Sequence, residues 1–363
     1  MNNNQENSSR VINHNQDNTP RVLKSSKNKI RVDFERTSLK ERMKAKYLNS
    51  LFYKKLLVAV FRFILLLGIS YIILFPFFSK ISASFMSPQD FLQSDVKMIP
   101  KFPTINTYKY LITENQYFKA MLNSFLLSAI CAVIQMFVAA FVGYGFAKFK
   151  FKGRNLVFLF VMLTMIVPHQ ILASSFVQKF IYFDVFGLFE ATGLYRALGM
   201  TQGIYNTYIP LILLSLTGLA FKNGLFIFLM RSYYRGVPDE LEESSFIDGY
   251  GVFQTFFKII LPISGPMLIT VFILAFAWQW TDIFYVNTFL PNAESFLLTS
   301  SKFWSTMPAT LDLLSDAAGA NAKTFEVAVK NAAGLLVVLP LIILYIFCQR
   351  YLVQGIESSG LAN

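Results

Sequence analysis

The sequence predicts an all-α membrane protein with six transmembrane helices and one short helical element outside the bilayer. Three observations carry this. Of 363 residues, 54% are hydrophobic and 15% are charged, whereas soluble domains carry about a quarter charged residues. Six mostly apolar stretches recur along the chain, each near the roughly 20 residues that cross a hydrocarbon core. Basic residues gather in alternate links between those stretches, the pattern that sets membrane orientation.

The first 53 residues form a tail. Up to about residue 30 it is rich in Asn, Gln, Ser and Lys with no apolar period, and such composition is expected to stay disordered. The net charge is +12. Much of it lies ahead of the first apolar run, at Arg21, Lys24, Lys27, Arg31, Lys44 and Lys54 among others. This placement suits a cytoplasmic tail facing anionic lipid. The tail lacks the aromatic interleaving of a nucleic-acid site, so no nucleic acid is expected as a partner. No cleavable signal is expected, because the first apolar run starts too deep and is too long.

Residues 54–363 hold the spans, at about 56–78, 122–147, 155–174, 208–230, 263–286 and 331–353. Lys148, Lys150, Lys152 and Arg154 crowd the link between the second and third. Arg231 and Arg235 follow the fourth. With the basic tail, these place both termini in the cytoplasm. The outer loops are then about 79–121, 175–207 and 287–330. The chain is expected in the plasma membrane.

Charges within spans cost on the order of 3 kcal/mol. Arg62 can snorkel from the first span. Lys222, in the fourth, has two readings: a cation of the translocation pathway, or the mark of a helix break or a neighbouring subunit. Asp282 is its candidate partner in the fifth span, near Trp280. The two cysteines, Cys131 and Cys348, lie in apolar runs and the chain has two histidines. Neither a disulfide framework nor a metal site is expected.

The link between the fourth and fifth spans carries the mechanism. Pro238 opens a helix whose first turn bears Asp239, Glu240, Glu242 and Glu243 at its positive end. Leu241, Ser244, Ser245 and Asp248 recur at helical spacing, and the serines leave their face small. Gly249 and Gly251 stop it, Gly249 as a candidate left-handed cap. A second apolar period, Phe253, Phe256, Phe257 and Ile260, runs to Leu261 and Pro262. Read alone, this is either a docking helix or a solvated amphipathic loop.

The segment resembles the EAA loop of permeases of ABC importers, which reads E-A-A, two residues, D-G, nine residues, then I-x-L-P. Glu243, Ser244 and Ser245 stand for E-A-A, Asp248 and Gly249 for D-G, and Ile259, Leu261 and Pro262 for the close. Ser-Ser replaces Ala-Ala. Thr104–Tyr108, Asn123-Ser124, Gly143–Gly153, Val167-Pro168, Trp280–Phe284 and Gln349-Arg350-Tyr351 with Gly355 resemble further segments of the carbohydrate, maltose-type branch. The resemblance implies the type I importer permease fold, with this loop as a cytoplasmic coupling helix. It implies a second homologous permease subunit, two ATPase subunits and an extracellular solute-binding protein or lipoprotein. The chain has no G-x-x-x-x-G-K-[ST], so ATP and Mg are expected on the partner ATPases. The implied cargo is a sugar or related polar solute. The alternatives are glycerol phosphate, polyamine, or an ion-coupled secondary transporter, which shows inverted repeats that are not evident here.

Overall fold

The computed structural model describes residues 50–184, 187, 191–193, 203–291, 297 and 322–358. The tail before residue 50, and most of the insertion near 189–205, lie outside the described residues. The chain divides into two compact units between Phe75 and Pro76.

The boundary falls within α1 (Ser50–Ser84). In the first unit α1 is continuous and apolar, with Leu57, Phe61, Ile64 and Ile72 exposed. The second unit holds every other element. These are α2 (Asn106–Thr113), α3 (Tyr117–Lys148), α4 (Arg154–Ile166), α5 (His169–Ile181), α6 (Ile209–Leu216), α7 (Asn223–Gly236), α8 (Glu240–Ile247), α9 (Val252–Ile263), α10 (Gly265–Trp280), α11 (Phe284–Phe289) and α12 (Ala322–Ser358). The described residues contain no strand.

Among them, three helices are long and apolar enough to cross a membrane unbroken: Tyr53–Ser84, Tyr117–Lys148 and Thr324–Gly355. The other three expected spans are not single helices. At 155–174, α4 and α5 meet at 96°. Pro168 imposes this bend, since the residue before a proline is pushed out of helical geometry, and Val167 has ψ 119°. At 208–230, α6 stops at Leu216 and α7 starts at Asn223. Gly218 and Lys222 between them adopt φ +76° and +66°. At 263–286, α10 ends at Trp280 before the short α11.

Breaks free backbone groups, which need partners in an apolar setting. Buried polar side chains meet that need at the α6–α7 break. Asn223 donates to the Ser215 carbonyl at 3.4 Å, and Gln135 of α3 donates to Ser215 Oγ at 3.1 Å.

The main core lies where α3 packs against α7 and α10, with α12 against α10. Small residues allow the closest approaches, as between membrane helices generally. A Cβ at Gly143 of α3 would lie 2.7 Å from Met230 Cβ of α7. One at Gly355 of α12 would overlap Thr270 of α10. Trp280 is 1% exposed and donates to the Val337 carbonyl at 2.9 Å, joining α10 to α12. A smaller core joins α5, α6 and α11 through Phe180, Leu211, Leu214 and Phe289.

Candidate functional site: the α7–α9 loop

The loop is built as a folded-back arm. α7 ends as Val237 turns extended, with ψ 125° ahead of Pro238. The next turn starts α8, whose first turn holds Glu240, Glu242 and Glu243. Asp239 stands at the N-cap but makes no capping bond there. Its carboxylate instead takes a 2.5 Å ion pair with Lys148, the last residue of α3. The same ammonium donates to the Val237 carbonyl at 2.7 Å and lies 3.9 Å from Glu242. One cation therefore joins the ends of α3, α7 and the start of α8. The Lys148 hydrogen bond lowers the pKa of Asp239. Burial raises that of Glu242, against the opposing pull of Lys148.

The far end of α8 closes by backbone geometry. Tyr250 N–H donates to the Ser245 carbonyl at 3.0 Å, and Gly249 N–H to the Phe246 carbonyl at 3.1 Å. This is the Schellman pattern, which needs a left-handed residue at its turn. Gly249, with φ +83°, supplies it. The chain then reverses into α9, and Ser245 Oγ meets Thr255 Oγ1 at 2.7 Å, both side chains buried.

The candidate docking residues therefore do not share one face. Ser245 points inward and is 1% exposed. Glu243, Ser244 and Asp248 are exposed, as are Phe246 and Ile247. Ile247 is 86% exposed, which is a large apolar surface to leave in water. Leu261 and Pro262 close α9, Leu261 partly buried and Pro262 exposed.

α9 contains a π-helical turn, Phe256–Ile260, and meets α10 at 79°. Two tyrosines from α7 hold this elbow. Tyr233 donates to the Ile263 carbonyl at 3.0 Å, and Tyr234 hydroxyl lies 3.2 Å from Ser264 Oγ. Phe256 packs under them against Tyr144. The arm thus leaves and returns through ends tied to α3 and α7.

The other candidate residues sit elsewhere in the unit. Lys222 occupies the α6–α7 break, not a helix interior, and its ammonium lies over the Trp278 ring at 5.2 Å. No ion pair joins it to Asp282 among the described residues. Asp282 instead accepts the Tyr285 N–H at 2.9 Å, at the start of α11. Trp280 is packed within the core, as described, while Trp278 is 44% exposed. Near Lys222, Phe221 stacks on His169 with ring centres 4.3 Å apart, and His169 bonds the Tyr285 hydroxyl.

Sequence reasoning missed Lys148, Thr255, Tyr233, Tyr234 and Trp278. Lys148 read as one of four interface cations. Nothing in its spacing marks the carbonyl 89 residues away. Thr255 stands ten residues from Ser245, a pairing that exists only after the turn reverses.

The family described as the inner membrane component of binding-protein-dependent transport systems matches residues 135–358. This chain belongs to that family. The matched region holds the whole arm and everything it is tied to. Among relatives, a galactooligosaccharide transport permease protein, GanQ of Bacillus subtilis, is 30% identical over 305 residues, covering 83% of this chain and 94% of GanQ. An arabinooligosaccharide transport permease protein, AraQ of Halalkalibacterium halodurans, is 28% identical over 295 residues, covering 80% of this chain and 92% of AraQ. The fold is also that of a bacterial ABC transporter that imports the acidic polysaccharide alginate. The TM-score is 0.60 at 18% identity, over 82% of this chain and 97% of that one. The family member described here is a transport component with the type I importer permease fold.

Proposed function

We propose that this permease conducts an oligosaccharide or related polar solute, and that α8 is the helix through which a separate ATPase moves it. The observation that carries the reading is α8 itself. It presents Glu243, Ser244, Phe246, Ile247 and Asp248 outward while Lys148, Thr255 and Gly249 hold its back and ends. An exposed apolar side chain beside carboxylates, on a braced helix, fits a partner's groove better than solvent.

In this reading six spans cross the plasma membrane, three of them broken, with both termini inside. Residues 1–53 form the cytoplasmic tail and 54–363 the transmembrane domain. A second homologous permease completes the pore, and two ATPases hold ATP and Mg beneath it. An extracellular binding protein or lipoprotein delivers cargo. ATP binding draws the ATPases together and shifts α8 as a rigid body, and its tied ends pass the motion to α3, α7 and α10. Lys222, Trp278 and Asp282 are the best candidates for the solute path, because a cation beside an exposed indole offers stacking and polar contact together. Trp280 supports the path through packing. The relatives named for oligosaccharides favour a sugar over glycerol phosphate or polyamine.

Reversing the charge at Glu243 tests docking. In cells carrying Glu243→Lys, radiolabelled sugar uptake is expected to fall to background while the chain still reaches the membrane. Full uptake by that variant would refute the docking role.

A further inference from the structure

Three arginines gather where α3, α4 and α7 end together. Arg154 opens α4 and donates to the Phe149 carbonyl at 3.3 Å. Arg231, near the end of α7, lies over the Phe158 ring at 3.9 Å and reaches the Phe146 carbonyl at 3.4 Å. It lies within electrostatic reach of both Arg154 and Arg235. No carboxylate forms an ion pair with any of the three among the described residues. Lys150 and Lys152 join Arg154 around an open hollow of about 450 Å³. Like charges brought together without a counter-charge repel. A cluster of guanidinium groups is also the natural seat for phosphate oxygens.

The surface beside the cluster says which phosphate. α4 has no buried residue over its 13 positions. Leu156, Leu159, Phe160, Leu163 and Ile166 are all exposed along it. At about 1.5 Å per residue the helix runs roughly 20 Å, slightly more than the ~15 Å of one leaflet's hydrocarbon. A basic cluster at one end of an apolar stripe of that length matches a phospholipid, with its phosphate at the arginines and its chains along α4. A protein carboxylate would need the charge but not the stripe.

We propose that Arg154, Arg231 and Arg235 form a binding site for the headgroup phosphate of an anionic phospholipid, with α4 as its acyl-chain bed. The inference rests on the reading that this end of α4 lies at a bilayer surface. It does not need α8 to dock an ATPase.

The complete importer, purified with its partner subunits, is incubated with equal amounts of phosphatidylglycerol and phosphatidylcholine and weighed by native mass spectrometry. Phosphatidylglycerol is expected to be retained preferentially. Arg154→Gln with Arg235→Gln should cut that retention by about tenfold or more. Arg→Lys changes at both positions should keep most of it. Should the double variant fail to fold, Arg235→Gln alone serves, since Arg235 is exposed. Equal retention of the two lipids, or no change in the variant, would overturn the site. So would two other results. One is loss of the ATPases from the variant with phosphatidylglycerol still bound, which would assign the cluster to a protein partner. The other is an inorganic phosphate adduct without any lipid preference, which would assign it to free phosphate. Lost lipid preference with sugar uptake intact separates this site from the docking role of α8.

Discussion

Ser244 and Ser245 are neighbours in sequence with opposite surroundings. Ser244 is exposed, and its hydroxyl bonds back to the Leu241 carbonyl at 3.1 Å. Ser245 is sealed against Thr255. The departure from Ala-Ala is therefore half a surface change and half a core change. Ser244→Ala is expected to leave uptake unchanged. Ser245→Ala takes one bond from the buried Thr255 hydroxyl, which keeps its 3.2 Å bond to the Gly251 carbonyl, and should lower stability by less than about 1 kcal/mol, whereas Thr255→Val leaves the buried Ser245 hydroxyl without that partner and should cost about 1 kcal/mol. The double variant should recover most of that loss, because both polar partners go together. A double-mutant cycle on thermal unfolding reads this coupling directly. Glu242 adds a pH signature. Its pKa is raised in the fold by burial, so its favourable contribution is full below its ordinary value of 4.5 and is lost as pH rises above it. Glu242→Gln should thus gain in melting temperature relative to wild type at pH 7, by a few degrees at most, and show no gain at pH 4.

At the scale of elements, the arm depends on how α8 starts and stops. Gly249 stops it in a conformation that costs an L-residue roughly 1–2 kcal/mol. Gly249→Ala should therefore lower uptake through a mis-set α8, even though a Cβ there meets nothing within 4 Å. Limited proteolysis of the loop would show the loosening, whereas Gly251→Ala, at φ −80°, should not show it. The elbow at Ser264 is the second control point. Tyr234→Phe removes one hydrogen bond but keeps the ring against Phe256 and Tyr144. If the tied elbow transmits motion, that variant should keep ATPase activity in the assembled importer while uptake per ATP falls. Equal losses in both would make the bond structural only.

For the whole molecule, the division of labour is the claim to test. The purified chain alone is expected to hydrolyse no ATP, since its sequence holds no G-x-x-x-x-G-K-[ST]; turnover by it would refute the scheme. Orientation is tested with cysteine labels. Lys152→Cys should react with an impermeant reagent only after the membrane is opened, and Lys109→Cys should react from outside in intact cells.

Much of this was legible in the sequence because its causes are local. Apolar run length, the basic links and the proline–glycine punctuation act within a few residues, so the solvent, the helices and the stops of α8 followed from them. The glycine stop at Gly249 is such a case, as only one residue type takes that φ cheaply. Three things were not local. The breaks within expected spans needed the tertiary frame that tolerates them, with Ser215, Asn223 and Gln135 meeting at one of them. The ammonium of Lys222 lies over a ring in α10, that of Trp278, while Asp282 accepts a backbone N–H at the start of α11. The role of Lys148 emerged only when α3 was brought beside a loop 89 residues later. Composition and short-range pattern determined that this chain is helical, suited to a membrane and equipped with a built arm, and the resemblance of that arm to the EAA loop pointed to a permease. Only the fold decided which side chains face a partner and which brace the arm, because burial and ion pairing depend on the neighbours that packing brings.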